Sequence, residues 1–248
     1  MITIENLTKR YGNLTAVSSL TLSVKPGEIY GFLGPNGAGK TTTIKVIAGL
    51  LRATEGRVSI CGFDVEAKAN EAKRSLGYIA DTPEPYERLT GREFLLTVAA
   101  LFGIRGEERE KRTLAGLAML DLEPWADELV ESYSHGMKQK LMISAALIHE
   151  PRVVIADEPL VGLDPKSARK LKVVFRRLAN EGKAVFLSTH ILEIAERICD
   201  RVGIIMKGTL VAEGTVEELR GKLSAPGSNL EEIFLSVTGT GDETAAGL

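Results

Sequence analysis

Apolar positions follow two different periods along the 248 residues. Near the N-terminus they form short runs, ITIENL, TLSVKP and EIYGFL, each bounded by Gly, Pro or Asn, the punctuation expected of strands. After Gly39 the spacing becomes helical over KTTTIKVIAGLL, and a turn-like ATEG stops it. GRVSICGFDV predicts one further strand. From 90 to 149 the pattern is helical almost throughout, in REFLLTVAALFG, EEREKRTLAGLAML and SHGMKQKLMISAALIHE. From 152 onward the two periods alternate: RVVIAD, SARKLKVVFRRLANEG, KAVFLST, ILEIAERICD and RVGIIM. Such alternation predicts a parallel sheet with helices on its faces, and the helix-only stretch predicts a subdomain inserted into that α/β frame. TGTGDETAAGL, after Val237, has little to bury and is expected to be disordered.

Composition narrows the function without naming it. The net charge of −2 gives no support for a nucleic-acid binder driven by bulk charge. Cys61 and Cys199 lie far apart without metal-ligand spacing, which predicts reduced thiols in a cytosolic protein. With three histidines and no cluster of partners, no transition-metal site is expected. No apolar stretch reaches membrane-spanning length; LLTVAALFGI (95 to 104) is too short and predicts a core helix. MITIENLTKR lacks the apolar region of a signal peptide, so the chain is expected to stay inside the cell and to reach a membrane only through a partner.

GPNGAGKTT, residues 34 to 42, fits G-x-x-x-x-G-K-[ST] with Gly34, Gly39, Lys40 and Thr41. A polyphosphate needs many donors converging on a small volume, and glycines let successive backbone amides approach that closely. The helix that follows offers its N-terminal amides and the positive end of its dipole. Lys40 supplies a point charge for the outer phosphates, and Thr41 a hydroxyl for Mg²⁺. A Gly-rich turn before a helix is the plain alternative; the strand before the loop and the helix after it favour nucleotide binding.

VVIADEP, residues 153 to 159, is a buried-strand run ending in two carboxylates, at the sheet edge where ligands bind in parallel folds. Adjacent strand residues point to opposite sides, so Asp157 and Glu158 are expected to take different roles. Asp157 can hold Mg²⁺, and Glu158 can orient or deprotonate the attacking water near the γ-phosphate. An acidic turn closed by Pro159 would explain the pair alone, but not beside a phosphate loop.

These residues resemble the nucleotide-binding domain of ATP-binding cassette (ABC) transporters, over about residues 2 to 238. GPNGAGKT is similar to the Walker A loop, which assigns Gly34, Pro35, Asn36, Gly37, Ala38, Gly39, Lys40, Thr41 and Thr42 to ATP. VVIADE is similar to Walker B, GLDP with Asp164 to the D-loop, and STH with His190 to the switch histidine. Tyr11, in KRYG, stands where the family stacks an aromatic ring on adenine. YSHGMKQK stands at the family's signature, with Ser134, His135, Gly136 and Met137 facing a partner's nucleotide. The resemblance implies a P-loop NTPase core, a mostly parallel sheet with flanking helices plus an antiparallel β subdomain, with an inserted helical subdomain. Its boundaries would be 1–81 and 150–220 for the core, 82–149 for the helical signature subdomain, 221–238 for a C-terminal extension and 239–248 for the tail.

Two positions depart from the family pattern. Asp81, in GYIAD, replaces the usual Q-loop glutamine; a carboxylate can still serve Mg²⁺ with a different reach. His135 replaces a signature glycine. If its backbone must be left-handed it carries strain; if not, any residue can stand there. Protonated beside triphosphate, it would make the assembly pH-sensitive.

The resemblance implies an ATP- and Mg²⁺-dependent hydrolase working as a head-to-tail pair of chains, identical or paralogous, beneath a separately encoded membrane permease. The chain would lie peripherally on the cytoplasmic face of the membrane, with no nucleic-acid partner. NLEEIFLSVTG resembles the tail of the branch exporting drugs, polysaccharides or lipids. The competing readings are a soluble cassette ATPase of translation or repair, a P-loop GTPase or kinase, and a weakly hydrolysing regulatory subunit. One cassette, no sustained heptads and no N-K-x-D motif weigh against the first two.

Overall fold

The computed structural model describes residues 1–222 and 229–238. In chain order β1 (Ile2–Tyr11), β2 (Leu14–Val24) and β3 (Ile29–Leu33) lead to α1 (Lys40–Ile47). Then come β4 (Glu55–Ile60), β5 (Phe63–Asp64), α2 (Ala69–Arg74) and β6 (Leu76–Ile79). Helices α3 (Gly91–Leu101), α4 (Gly106–Met119) and α5 (His135–Leu147) follow, with two short 3₁₀ turns before α5. The chain returns through β7 (Val153–Asp157), α6 (Pro165–Asn180), β8 (Ala184–Thr189) and α7 (Leu192–Ile198). It closes with β9 (Arg201–Met206), β10 (Thr209–Gly214), α8 (Val216–Lys222) and α9 (Leu230–Thr238).

Among the described residues two sheets form. One is antiparallel with order β2-β1-β4-β5; the other has order β10-β9-β3-β8-β7-β6 and is parallel except for β10. The strands β3, β7 and β8 are buried at every position, as central strands covered on both faces must be. That burial is why their sequences read as unbroken apolar runs. By contrast β1 alternates at its start, with Ile2 and Ile4 in the core and Thr3 and Glu5 outside. The larger apolar core lies around α1 between the two sheets and includes Ile4, Leu22, Phe32, Ile44 and Phe186. A second core packs α6 on the other face of the parallel sheet through Leu171, Phe175 and Leu178.

The helices α3, α4 and α5 share an apolar cluster of their own, with Phe94, Leu95, Leu117 and Leu141. Its helix α3 starts at a full capping box: Thr90 accepts from the Glu93 amide while Glu93 accepts from the Thr90 amide.

Three expectations need correction. GRVSICGFDV is two strands, not one, because Cys61 and Gly62 both take left-handed backbone and turn the chain between β4 and β5. The helix opening at Lys40 stops at Ile47, with Gly49 left-handed just beyond it. The helix of SHGMKQKLMISAALIHE stops at Leu147. The expected tail 239–248 and residues 223–228 of the expected C-terminal extension lie outside the described residues. Among the described residues no helix is long and apolar enough to cross a membrane, and both cysteines are free.

Candidate functional site

Four parallel strands deliver chemistry to one edge. The carboxyl ends of β3, β6, β7 and β8 lead to the Gly34–Lys40 loop, Asp81, the Asp157–Glu158 pair and His190. A cavity of about 370 Å³ opens there. Tyr11, Leu14 and Ala16 of the antiparallel sheet line one side. Pro35, Asn36, Gly37, Gly39, Lys40, Thr41 and Thr42 form the loop wall, and Asp81, Asp157 and Glu158 the acidic wall. Gly34 and Ala38 of the same loop do not line the cavity.

The loop is shaped by close backbone approaches. A Cβ on Gly34 would stand 2.5 Å from the Ile205 carbonyl oxygen, and one on Gly39 2.5 Å from that of Ala16. Gly39 also has φ of 108°, where side chains are strained. The Gly208 amide donates to the Ala38 carbonyl at 2.9 Å, pinning the loop to the β9–β10 turn. Lys40, only 7% exposed, folds back on its own loop. Its Nζ donates to the Gly34 carbonyl at 2.6 Å and to that of Pro35 at 3.3 Å, and stands 3.8 Å from Glu158 Oε1. Burial lowers its ammonium pKa, opposed by the charges of Glu158 and Asp157.

On the acidic wall Ser188, fully buried in β8 and register partner of Asp157, joins both carboxylate residues. Its hydroxyl donates to Asp157 Oδ1 at 2.5 Å and accepts from the Glu158 amide at 3.1 Å. Burial raises the Asp157 pKa, opposed by the Ser188 and Thr41 hydroxyls, while the charges of Asp81 and Glu158 add to the rise. Asp157 Oδ2 and Glu158 Oε2 are buried with no hydrogen-bond partner among the described residues. Two orphaned carboxylate oxygens on one cavity wall suit a cation and a polarised water. No group of three or more His, Cys, Asp or Glu suited to a metal occurs among the described residues. Mg²⁺ does not need one, since it takes one or two carboxylates and fills its shell with water and phosphate.

Asp157 and Glu158 line the same cavity, although alternation along a strand would send adjacent side chains to opposite sides. Glu158 lies one residue past β7 with φ of 47°, and this left-handed turn brings it onto the cavity wall that Asp157 also lines. Its Oε1 lies 3.0 Å from His190 Nδ1. Asp81 is exposed, lines the cavity and accepts from the Thr82 amide at 2.9 Å. Burial and the charges of Asp157 and Asp81 push the nearby Tyr78 phenol up to about 12. Tyr11, 45% exposed at the end of β1, carries the Lys9 ammonium 5.1 Å from its ring centre.

The signature residues are elsewhere. Ser134 caps α5, accepting from the Met137 amide at 3.3 Å, and none of 134 to 137 lines the cavity. His135 is the first helical residue and does not have positive φ, so the question of glycine-like strain there is closed. Asp164 caps α6, accepting from the Ser167 amide at 3.0 Å and its hydroxyl at 2.5 Å, and stands 3.4 Å from Lys140 Nζ. Those bonds hold its carboxyl well below the usual range.

Ser188 is the first residue of STH, and a serine closing the apolar run AVFL is a legible signal of a polar group at the strand end that attention to His190 alone passes over. Leu14 and Ala16 gave none, since they reach the cavity by sheet packing. A larger cavity, about 1060 Å³, lies away from this chemistry between α4, α5 and α6. Several of its cations pair with acids of the chain, including Arg112 with Glu108 and Lys170 with Asp121.

The model of the family described as ABC transporter matches residues 17–161, from β2 through the acidic pair. The chain belongs to the ABC transporter family. It is an ATP-binding, ATP-hydrolysing subunit of that family, with the P-loop NTPase fold. The Nod factor export ATP-binding protein I of Burkholderia orbicola is 39% identical over 218 residues, spanning 88% of this chain and 72% of that protein. A solved structure of an ATP-binding subunit of an ABC transporter superposes with TM-score 0.91 at 35% identity, covering 96% of this ABC subunit and 99% of the other chain. The dimeric cassette MJ0796, solved in a post-hydrolysis state with ADP and Pi, superposes with TM-score 0.80 at 28% identity, covering 87% and 99%.

Proposed function

We propose that this ABC subunit is the ATP-driven motor of an exporter whose permease is a separate membrane chain, and that it works as a head-to-tail dimer on the cytoplasmic face. One observation carries the reading. The phosphate loop and the acidic pair line one cavity, with His190 held against Glu158, whereas Ser134 and its helix start stand outside it. A second chain turned head to tail would bring Ser134 of the partner subunit over the cavity, and pairing itself is supported by MJ0796, which was solved as a dimer. Export is supported by the printed function of the Nod factor relative.

In this reading the loop amides and the N-terminus of α1 bind the phosphates, and Lys40 leaves the Gly34 carbonyl for the terminal phosphate. Thr41 and Asp157, with Asp81 at the rim, would hold Mg²⁺, which neutralises charge on the outer phosphates. Glu158 orients and deprotonates the attacking water, and His190 holds that carboxylate in place. Tyr11 stacks on the base. The helical stretch 82–149 docks on the permease, so loss of the γ-phosphate separates the halves and moves the membrane subunit.

The test is Glu158→Gln in the full chain. ATP binding is retained, turnover collapses, and ATP holds a stable dimer in size-exclusion chromatography. Near-normal hydrolysis by this variant would remove the base assignment.

A further inference from the structure

Within one chain the start of α5 is seated on the loop that follows β7. A Cβ on Gly162 would stand 2.7 Å from His135 Cδ2 and 2.9 Å from its Nε2, so the imidazole rests directly on that glycine. A Cβ on Gly136 would stand 3.0 Å from the Gly162 carbonyl oxygen, and Lys140 reaches Asp164 at 3.4 Å. Gly162 is left-handed at φ of 79°, so both its backbone and its missing side chain suit the ring.

The loop under the ring begins at Glu158. It is tightly wound, with the Val161 amide donating to the Glu158 carbonyl at 3.1 Å and the Leu163 amide to that of Leu160 at 3.4 Å. Glu158 itself is left-handed, so its carboxylate position depends on a backbone conformation that neighbouring contacts must enforce. His135 does not line the nucleotide cavity.

We propose that His135 is a positioning residue: its ring, seated on Gly162, holds loop 158–164 so that Glu158 of the same chain meets His190 and Lys40. The inference rests on the head-to-tail reading and deepens it. In that assembly Ser134 answers to the partner's nucleotide, while Glu158 acts on the chain's own. His135 ties the two through the five residues from Gly162 back to Glu158, so engagement of one site is felt at the carboxylate of the other. The role needs a flat ring, not a charge.

The experiment uses the full chain with His135→Ala, His135→Phe, Gly162→Ala and the double variant His135→Ala/Gly162→Ala. Steady-state ATPase activity, melting temperature and ATP-driven dimerisation are measured, the last in the Glu158→Gln background. His135→Ala should lower kcat about tenfold while KM and the ATP concentration for half-dimerisation hold. His135→Phe should recover kcat to within about threefold. Gly162→Ala should cost less activity in the His135→Ala background than alone, because part of its defect is the clash with the ring. Wild-type kcat in His135→Ala would overturn the proposal. So would a kcat loss matched by equal loss of dimerisation, which would assign the ring to the partner's nucleotide. Failure of His135→Phe to recover activity at an unchanged melting temperature would also overturn it. Normal hydrolysis by Glu158→Gln alone would instead remove the underlying functional reading, a result that needs no His135 variant.

Discussion

Ser188→Ala isolates the hydroxyl that serves both carboxylate residues. Asp157 is 1% exposed and Ser188 fully buried, so water does not readily replace what is removed. The Asp157 carboxylate loses a hydrogen bond worth about 1.5–3 kcal/mol, and the Glu158 amide becomes a buried orphan at about 1–3 kcal/mol. The two losses share one atom and are not fully additive, so a net destabilisation of about 3–4 kcal/mol is expected. Against a domain stability of about 5–15 kcal/mol the variant still folds. The first loss depends on pH. Burial already raises the Asp157 pKa, and losing the Ser188 donor raises it further. A carboxyl raised in the fold binds more protons folded than unfolded, so stability falls as pH rises from the ordinary aspartate value through the folded one. The deficit of Ser188→Ala is therefore largest at neutral pH and shrinks on acidification, leaving the orphaned-amide part. Urea midpoints for both proteins at about pH 5 and pH 8 measure this, with Mg²⁺-ATP turnover alongside. An unchanged midpoint at neutral pH, or a deficit equal at both pH values, would refute the bridging role.

Lys40→Ala should lose nucleotide affinity in calorimetric titration; unchanged affinity would contradict the phosphate-loop reading. In Gly39→Ala, the backbone clash with Ala16 and the strain at φ of 108°, about 1–3 kcal/mol, should distort the loop and weaken ATP binding more than tenfold. Tyr11→Ala should weaken ATP about two- to tenfold, matching a ring contact of about 0.5–1.5 kcal/mol, while inorganic triphosphate binds as before. Equal losses for both ligands would rule out base stacking. Asp164→Ala should cost about 0.5–2 kcal/mol as a lost helix cap. Because that carboxyl titrates low in the fold, its contribution is present above the ordinary aspartate range and disappears as pH falls towards the folded value. Acid denaturation profiles that stay parallel would contradict it.

The sequence made legible whatever depends on local spacing. The loop from Gly34 to Thr41 and the apolar runs of β3, β7 and β8 declare themselves because burial on both faces leaves no polar positions to interrupt them. Elements with weak or absent apolar faces escaped. Helix α2, ANEAKR, buries only Ala72. Strand β10 follows Lys207 and Gly208, a pair of left-handed residues that makes a hairpin turn and was readable from its glycine. Helix α8 opens on Thr215 and Glu218, whose reciprocal side-chain bonds form a capping box that the T-x-x-E spacing announced. At the site, residue identity did not disclose backbone state. Strand alternation did not disclose that Glu158, left-handed just past β7, shares a cavity with Asp157, and the seating of His135 on Gly162 arises between segments remote from spacing rules.

The turn at Lys207–Gly208 has a wider consequence. Gly208 donates to the phosphate loop at Ala38 and accepts from the Ser18 amide of β2 at 2.8 Å, so one glycine splices loop, hairpin and antiparallel sheet together. Tyr11 stands at the far end of that same sheet, across the cavity from the loop. A nucleotide reaching from ring to phosphates therefore adds a further link between two sheets that already share the apolar core around α1. Loading should slow amide hydrogen exchange in β1 and β2, well beyond the phosphates.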